Sequence, residues 1–333
     1  MIREAIKKIK NRADLSGDEM AKVFSEIMDG IAEKNDVKEF LLSLRAKGES
    51  LDEIVASAEV MRQKSLKVST SIRDLVDTCG TGGAARHDVN ISTIVAILLS
   101  ACGIKVAKHG NRSYSGRCGS ADFLEGLGIN IKMDPEMAAR SLENAGFVFI
   151  FAQKYHPAMK NVVQARKELA TKTIFNILGP LSNPAGATMQ TVGVYAPDMT
   201  EIMAAALKRL GAKKAFVVHG LEGFDEISIK GKTKVSELRD GHIETFEIAP
   251  SDFGIEEGDI SEVLGGDRNH NVSVGLDVFN GKRNAVRDMV LINAAAALKM
   301  VGRVGTLTDG IKEAVECIDS GRALKKVQQL RKA

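Results

Sequence analysis

The chain has 333 residues, 44% hydrophobic and 27% charged, with 46 Lys and Arg against 43 Asp and Glu and a formal net charge of +3. That length exceeds one ordinary core and suits one large α/β domain plus a smaller helical one. Near-balanced charge, spread along the chain, leaves no electrostatic footprint for duplex nucleic acid or an anionic membrane surface.

The first sixty-five residues read as helices. Ser16 with Glu19 and Ser50 with Glu53 have the spacing of capping boxes, each ahead of an amphipathic stretch, Met20 to Met28 and Ile54 to Met61. Between them, Val37, Phe40, Leu41 and Leu44 mark one face of a further helix. Residues 66 to 74 are the expected connection into the next domain. From there, short apolar runs predict strands at Leu75 to Asp77, Ile104 to Ala107, Ile129 to Ile131, Phe147 to Ala152, Thr191 to Tyr195 and Ala215 to His219. Helical segments separate them, which argues a mostly parallel sheet covered by helices. The runs Glu226 to Ile229, Lys234 to Leu238 and Ile243 to Ile248 lie close together and predict an antiparallel addition. Helices are expected at Ala285 to Met300 and Asp309 to Leu330. The fold class is therefore α/β, a small helical N-terminal domain and a large domain with a mostly parallel central sheet.

The four cysteines, Cys79, Cys102, Cys118 and Cys317, show no metal-type pairing, and the sequence has no signal peptide or long apolar span. They are expected to be packing residues in a cytoplasmic protein.

Chemistry concentrates in one stretch. Cys79-GTGG-Ala84 follows the first predicted strand, and Gly80, Gly82 and Gly83 there can take positive φ and leave backbone N–H groups bare for an anion. Asn90-Ile91-Ser92-Thr93 then opens an apolar helix whose first N–H groups lack partners, with Asn90, Ser92 and Thr93 adding donors or caps. Lys108-His109-Gly110-Asn111-Arg112 supplies a basic loop after the next strand. A glycine turn, a hydroxyl-rich helix start and a lysine within one α/β unit are the layout for gripping a phosphorylated ligand.

Three further segments complete a pattern: His156-Pro157-Ala158-Met159-Lys160 leading to Arg166, the marked loop Phe175-Asn176-Ile177-Leu178-Gly179-Pro180-Leu181-Ser182-Asn183-Pro184, and His219-Gly220-Leu221-Glu222-Gly223-Phe224-Asp225-Glu226. In this order and at these spacings, the six motifs closely resemble the anthranilate phosphoribosyltransferase family, and the resemblance covers essentially the whole chain. It implies transfer of a phosphoribosyl group from 5-phosphoribosyl 1-pyrophosphate to anthranilate, releasing pyrophosphate, with Mg2+, in the second step of tryptophan synthesis from anthranilate. It implies that Gly80, Gly83, Asn90, Ser92, Thr93, Lys108 and Ser120 contact the donor. Gly80, Asn111 and Arg166 would meet anthranilate, while Ser92, Asp225 and Glu226 would hold magnesium. No residue is assigned as acid, base or nucleophile, because holding the substrates in line and stabilising the leaving group suffice for this chemistry. His109 and His156 are expected to shape the pocket and Asn183-Pro184 to support it.

For the architecture, the resemblance implies a helical domain of residues 1–68, joined by a returning segment near 159–176 that brings Arg166 to the glycine loop, and an α/β donor-binding domain of residues 69–333. It also implies a homodimer through the N-terminal helices. The chain departs from the family at Ala84-Ala85-Arg86-His87-Asp88-Val89, where an Asp-Gly pair is usual, at Gln164-Ala165 in place of Pro-Val, and at Ser115-Gly116 in place of paired serines. Metal handling at the first loop and the acceptor pocket's shape are where these changes would act. The alternatives are a pyrimidine nucleoside phosphorylase-like enzyme, which should have an inorganic phosphate site beside a nucleobase pocket, and a non-catalytic nucleic-acid-binding homologue, which should be basic on one face and lack the carboxylate pair.

Overall fold

The computed structural model describes residues 1–86, 89–113 and 118–333; His87, Asp88, Ser115 and Gly116, named above, lie outside the described residues. The helical start holds α1 (Ile2–Lys10), α2 (Gly17–Met28), α3 (Lys34–Lys47) and α4 (Leu51–Gln63). Both capping boxes form: Ser16 and Ser50 accept from the N–H of Glu19 and Glu53, each at 3.3 Å, and the glutamates accept back at 2.7 and 2.8 Å. Each such cap contributes about 1 kcal/mol. Glu53 does more than cap, for its fully buried carboxylate also accepts from the Leu15 N–H and the Lys47 ammonium, both at 2.9 Å, so it ties three segments together.

The sheet has seven strands in the order β3-β2-β1-β4-β5-β6-β7. They are β1 (Val76–Gly80), β2 (Val106–Gly110), β3 (Phe147–Phe151), β4 (Met189–Gly193), β5 (Lys214–Gly220), β6 (Thr233–Arg239) and β7 (His242–Ile248). The first five are parallel, and β6 and β7 add antiparallel at one edge. Between the strands run α5 (Ile91–Ala101), α6 (Ser120–Gly126), α7 (Pro135–Ala145), α8 (Ala152–Tyr155), α9 (Lys160–Leu169), α10 (Phe175–Leu181) and α11 (Met199–Arg209). After β7 come α12 (Arg268–Phe279), α13 (Ala285–Val301), α14 (Leu307–Asp319) and α15 (Arg322–Leu330).

Alternation along β5 divides the core. Phe216 and Val218 pack with α5, α6 and α12 to α15 on one face, whereas Ala215 and Val217 join α1 to α4, α9, α10 and α11 on the other. The apolar interior of the N-terminal helices is thus continuous with one face of the sheet. Their rich apolar faces are covered from within the chain, and among the described residues of this region Met1, Ile31, Leu42, Leu66 and Val163 are the large apolar side chains left exposed.

Four expectations are corrected. Ile129 and Ile131 are buried but form no strand, because the Ile129 N–H bonds back to Leu124 across left-handed Gly128 and exposed Asn130 accepts from the Lys132 N–H, so the backbone is satisfied locally. Glu226 to Ile229 is no strand either: the Asn293 side chain accepts from the Ile227 N–H and donates to the Ile227 carbonyl, both at 3.0 Å, replacing a ladder partner. The helix from Asp309 breaks at Gly321, whose φ is +75°. The marked loop from Phe175 starts as α10, which carries Pro180 within it.

Candidate active site

The chain leaves β1 toward β2 and β3 on one side, and β4 and β5 lie on the other, so the sheet has a topological switch point between β1 and β4. Crevices at the carboxyl ends of strands at such points are where open α/β sheets bind ligands. Gly80 and Gly193 sit there, paired in register. The segment carrying Phe224, Asp225 and Glu226 crosses directly above them. A Cβ on Gly193 would lie 1.6 Å from the Asp225 carbonyl oxygen, and one on Gly80 would lie 3.0 Å from an Asp225 carboxylate oxygen. Glycine is required at 193 for this crossing. Gly80 keeps ordinary strand dihedrals, contrary to expectation, and contributes room. Positive φ occurs next door, at Gly82 (+64°) and Gly83 (+75°), which make the sharp turn.

Charge gathers under that crossing. Lys108, 2% exposed on β2, donates to the Thr78 carbonyl and reaches the Ser92 hydroxyl at 3.4 Å. Burial pulls its pKa down, while Asp77 and Glu226 pull it back up. Glu226 accepts the Ser92 N–H at 3.1 Å, so a carboxylate of the chain itself takes one of the orphan donors at the start of α5. Burial, then the charge of neighbouring Asp225, pushes Glu226 up to about 8 against the pull of Lys108. A narrow cavity lined by Thr78, Ser92, Thr191, Gly193, Glu226 and Asn293 lies between β1, β4 and α5.

Beneath this layer runs a buried polar support. Asp77 accepts from the His109 N–H at 3.0 Å and from the Asn183 amide at 2.8 Å, and burial raises its pKa to about 6. Asn183 also donates to the Ala107 carbonyl, and Gln190 donates to the Pro180 carbonyl, both at 2.8 Å, so the Gly179 to Asn183 segment is stitched to β1, β2 and β4. His109 Nδ1 lies 3.0 Å from the Gly179 carbonyl, which can only accept, so that nitrogen carries the proton; the neutral ring then accepts from His156 at 3.2 Å. Burial holds His109 down to about 4 and His156 to about 3. Cys79 is buried with its thiol pKa raised, as suits packing.

The other side is built from α9 and the connection into α10. Asn161 on α9 donates to the Met28 carbonyl at 2.8 Å, and Glu168 pairs with Lys34 and Lys38 of α3. Half-buried Arg166 sets its guanidinium 5.3 Å from the centre of the Phe175 ring. Lys172, in the connection, donates to the Gly83 carbonyl at 2.7 Å. The returning segment therefore reaches the glycine turn, with Lys172 making the contact.

The remaining expected residues are placed less directly. Asn90 precedes α5 without capping it; its amide donates to the Cys118 carbonyl and its oxygen accepts from the Cys118 thiol, tying two loops together. Thr93 is fully buried with a hydroxyl that has no partner. Asn111 is exposed, accepting the Arg112 N–H, and the Ser120 hydroxyl donates to the Asn111 carbonyl at 3.1 Å. Arg112 is engaged by Asp122 and Glu125 of α6. Arg86 is exposed, and its Nε donates to the Glu222 carbonyl at 2.9 Å while its guanidinium lies over Phe224. Of the altered α9 pair, Ala165 packs inward and Gln164 faces outward onto Glu168. The sequence reading missed Gly193, Asp77, Asn293 and Lys172 as parts of the site. Gly193, a glycine in the middle of the run Thr191 to Tyr195, carried the one visible signal.

Comparison with known proteins covers both parts of the chain. Residues 72–324 match the glycosyl transferase family, a/b domain, and residues 3–65 match the glycosyl transferase family, helical bundle domain. Anthranilate phosphoribosyltransferase from Persephonella marina is 46% identical over 99% of this chain and 98% of its own length, and that from Alkaliphilus metalliredigens is 47% identical over 99% and 97%. The crystal structure of the Thermus thermophilus enzyme superposes with a TM-score of 0.92 at 35% identity, covering 99% of both chains. The solved structure of the Saccharomyces cerevisiae enzyme in complex with PRPP and Mg gives 0.93 at 27% identity, covering 99% of this chain and 97% of that one.

Proposed function

The chain belongs to the anthranilate phosphoribosyltransferase family, and from that premise we propose that it transfers the phosphoribosyl group of 5-phosphoribosyl 1-pyrophosphate to the amine of anthranilate. The products are N-(5-phosphoribosyl)anthranilate and pyrophosphate, the second step of tryptophan synthesis from anthranilate. The observation that carries this reading is the seating of Asp225 and Glu226 over Gly80 and Gly193, with Lys108 and the start of α5 beneath. In the reaction the anomeric C–O bond breaks, the amine nitrogen bonds to the same carbon, and the amine proton leaves. The sugar becomes cationic and the leaving group anionic, so fixed positive groups and N–H donors on the pyrophosphate side lower the barrier.

Gly80, Gly83, Asn90, Ser92, Thr93, Lys108 and Ser120 form the proposed donor site. Lys108 already touches Ser92 and carries the charge for the phosphates. Asp225, Glu226 and the Ser92 hydroxyl fit a magnesium site: the set is all oxygen, and burial with two adjacent carboxylates raises the pKa of Glu226, which a cation would offset. An ion held there would share its ligands with substrate phosphates, as magnesium commonly does. Magnesium, when bound, supplies charge neutralisation for the leaving pyrophosphate. Asn111 and Arg166, with Gly80, form the proposed anthranilate site, where the planar fork of Arg166 matches a carboxylate. Residues 1–68 with the returning 159–176 would then make the acceptor side and residues 69–333 the donor side. Homodimer formation through the N-terminal helices and a cytoplasmic location are part of the same proposal. Among the described residues, no helix is long and apolar enough to cross a membrane.

The test is the fluorescence of anthranilate, followed with donor and magnesium present and with either withheld. Loss of signal only in the complete mixture is expected, and parallel incubation with thymidine and phosphate should release no base. Phosphorolysis without anthranilate turnover would overturn the reading in favour of a nucleoside phosphorylase. Sedimentation as a monomer at micromolar concentration would remove the dimer.

A further inference from the structure

We propose that Lys172 is a positioning residue for the glycine turn, holding it from the acceptor side in the shape that receives the donor's phosphates. The proposal deepens the reading above and rests on the turn being the donor site.

Four observations support it. The Lys172 ammonium donates to the Gly83 carbonyl at 2.7 Å. The approach is close, since a Cβ on Gly83 would lie 2.9 Å from Lys172 Cε, and the φ of +75° at Gly83 independently excludes most side chains. The same ammonium sits 3.8 Å from the centre of the Tyr195 ring, and the Tyr195 N–H donates to the Thr81 hydroxyl at 3.2 Å, so ring, lysine and turn close on one another. Thr81 is held in turn by its N–H on the Gly193 carbonyl at 2.9 Å. The lysine is presented by a left-handed Ala170 at the end of α9 and by Thr171, whose hydroxyl meets Arg45 of α3.

The consequence follows from peptide geometry. In a planar trans peptide the carbonyl and the following N–H point in opposite directions. Fixing the Gly83 oxygen toward Lys172 therefore aims the Ala84 N–H away from the α9–α10 connection. A charged donor makes that orientation stronger than a neutral one could.

The experiment compares the native protein with Lys172→Met, Lys172→Arg and Tyr195→Leu, varying each substrate in turn and measuring donor binding by calorimetry. Lys172→Met should raise the donor KM and Kd about tenfold or more, the range for a lost charged hydrogen bond, with the anthranilate KM unchanged. Lys172→Arg should recover most of the loss, and Tyr195→Leu should show a smaller effect in the same direction. An unchanged donor Kd in Lys172→Met, an equal rise for both substrates, or a loss that arginine does not reduce would overturn the proposal. If the native protein forms no product, the reaction assignment fails on its own. The donor titrations still decide the part played by Lys172.

Discussion

The two sides of the candidate site are built by different means. On the donor side the polar groups are backbone ends, a lysine and carboxylates packed under a crossing segment, and nearly every one is already held by another part of the fold. On the acceptor side, Lys34, Lys38, Gln164 and Glu168 are long side chains paired at the surface, where such pairs are worth about 0–1 kcal/mol. The first side is organised before any ligand arrives, and its charges are costly to hold. The second can adjust cheaply. Substitutions on the donor side should therefore change chemistry or acid stability steeply, and those on the acceptor side should act through position and small changes in stability.

The largest effect that would break this contrast concerns the carboxylate pair. Asp225→Asn together with Glu226→Gln should lower kcat by at least about a hundredfold, the scale on which fixed electrostatic groups act. Thermal stability should hold or rise, because burial beside Asp225 makes the ionised Glu226 unfavourable in the fold. A lowered Tm with retained turnover would show the pair to be structural.

The histidine pair beneath the donor side sharpens the contrast through pH. Both folded values lie below the ordinary 6.5, His109 at about 4 and His156 at about 3, because burial disfavours the charged rings. The unfolded chain thus takes up protons first as pH falls. The stability contributed by the neutral rings is complete above pH 6.5 and is lost on the way down to about 4 and then 3. For His109 the shift corresponds to about 3 kcal/mol. In urea titrations from pH 7 to 4, His156→Gln and His109→Gln should each flatten the acid limb relative to the native chain. Parallel curves would mean that the rings are charged or exposed in the folded state.

Lys108→Met comes next in size. It removes a buried ammonium that touches Ser92 and faces Asp77 and Glu226, so donor affinity should fall about ten- to a hundredfold while acceptor affinity stays. Equal losses for both substrates would erase the distinction between the two sides.

The same division decided what could be read in the sequence. The donor motifs were legible because strand, glycine and helix start are local features with a physical signature, as were both capping boxes and the alternation of strands and helices. Gly193 escaped because its constraint comes from a carbonyl more than thirty residues away in the chain. Asn293, inside an apolar helix, gave no sign that it replaces the ladder partner of Ile227, and so the extra strand was expected there. Lys172 looked like any surface lysine after a helix. Contacts made by side chains across long sequence distances have no periodicity to betray them.

The smallest effect tests how the acceptor side is held in place. Ala170 ends α9 in the left-handed region, with φ of +47° and ψ of +33°, and its N–H still bonds to the Arg166 carbonyl at 3.2 Å. A side chain there costs roughly 1 kcal/mol that glycine would not pay, offset in part by the greater freedom of glycine in the unfolded chain. The strain persists because the next two residues are anchored, Thr171 to Arg45 and Lys172 to Gly83. Ala170→Gly should then stabilise the protein by about 0.5 kcal/mol in urea titrations, with donor and acceptor KM unchanged. In a Lys172→Met background the same substitution should leave the donor KM where Lys172→Met alone puts it, because the connection no longer touches the glycine turn. A further rise in donor KM when Ala170→Gly is added to Lys172→Met would show that the connection after α9 acts on the donor site by a route other than its contact with the glycine turn.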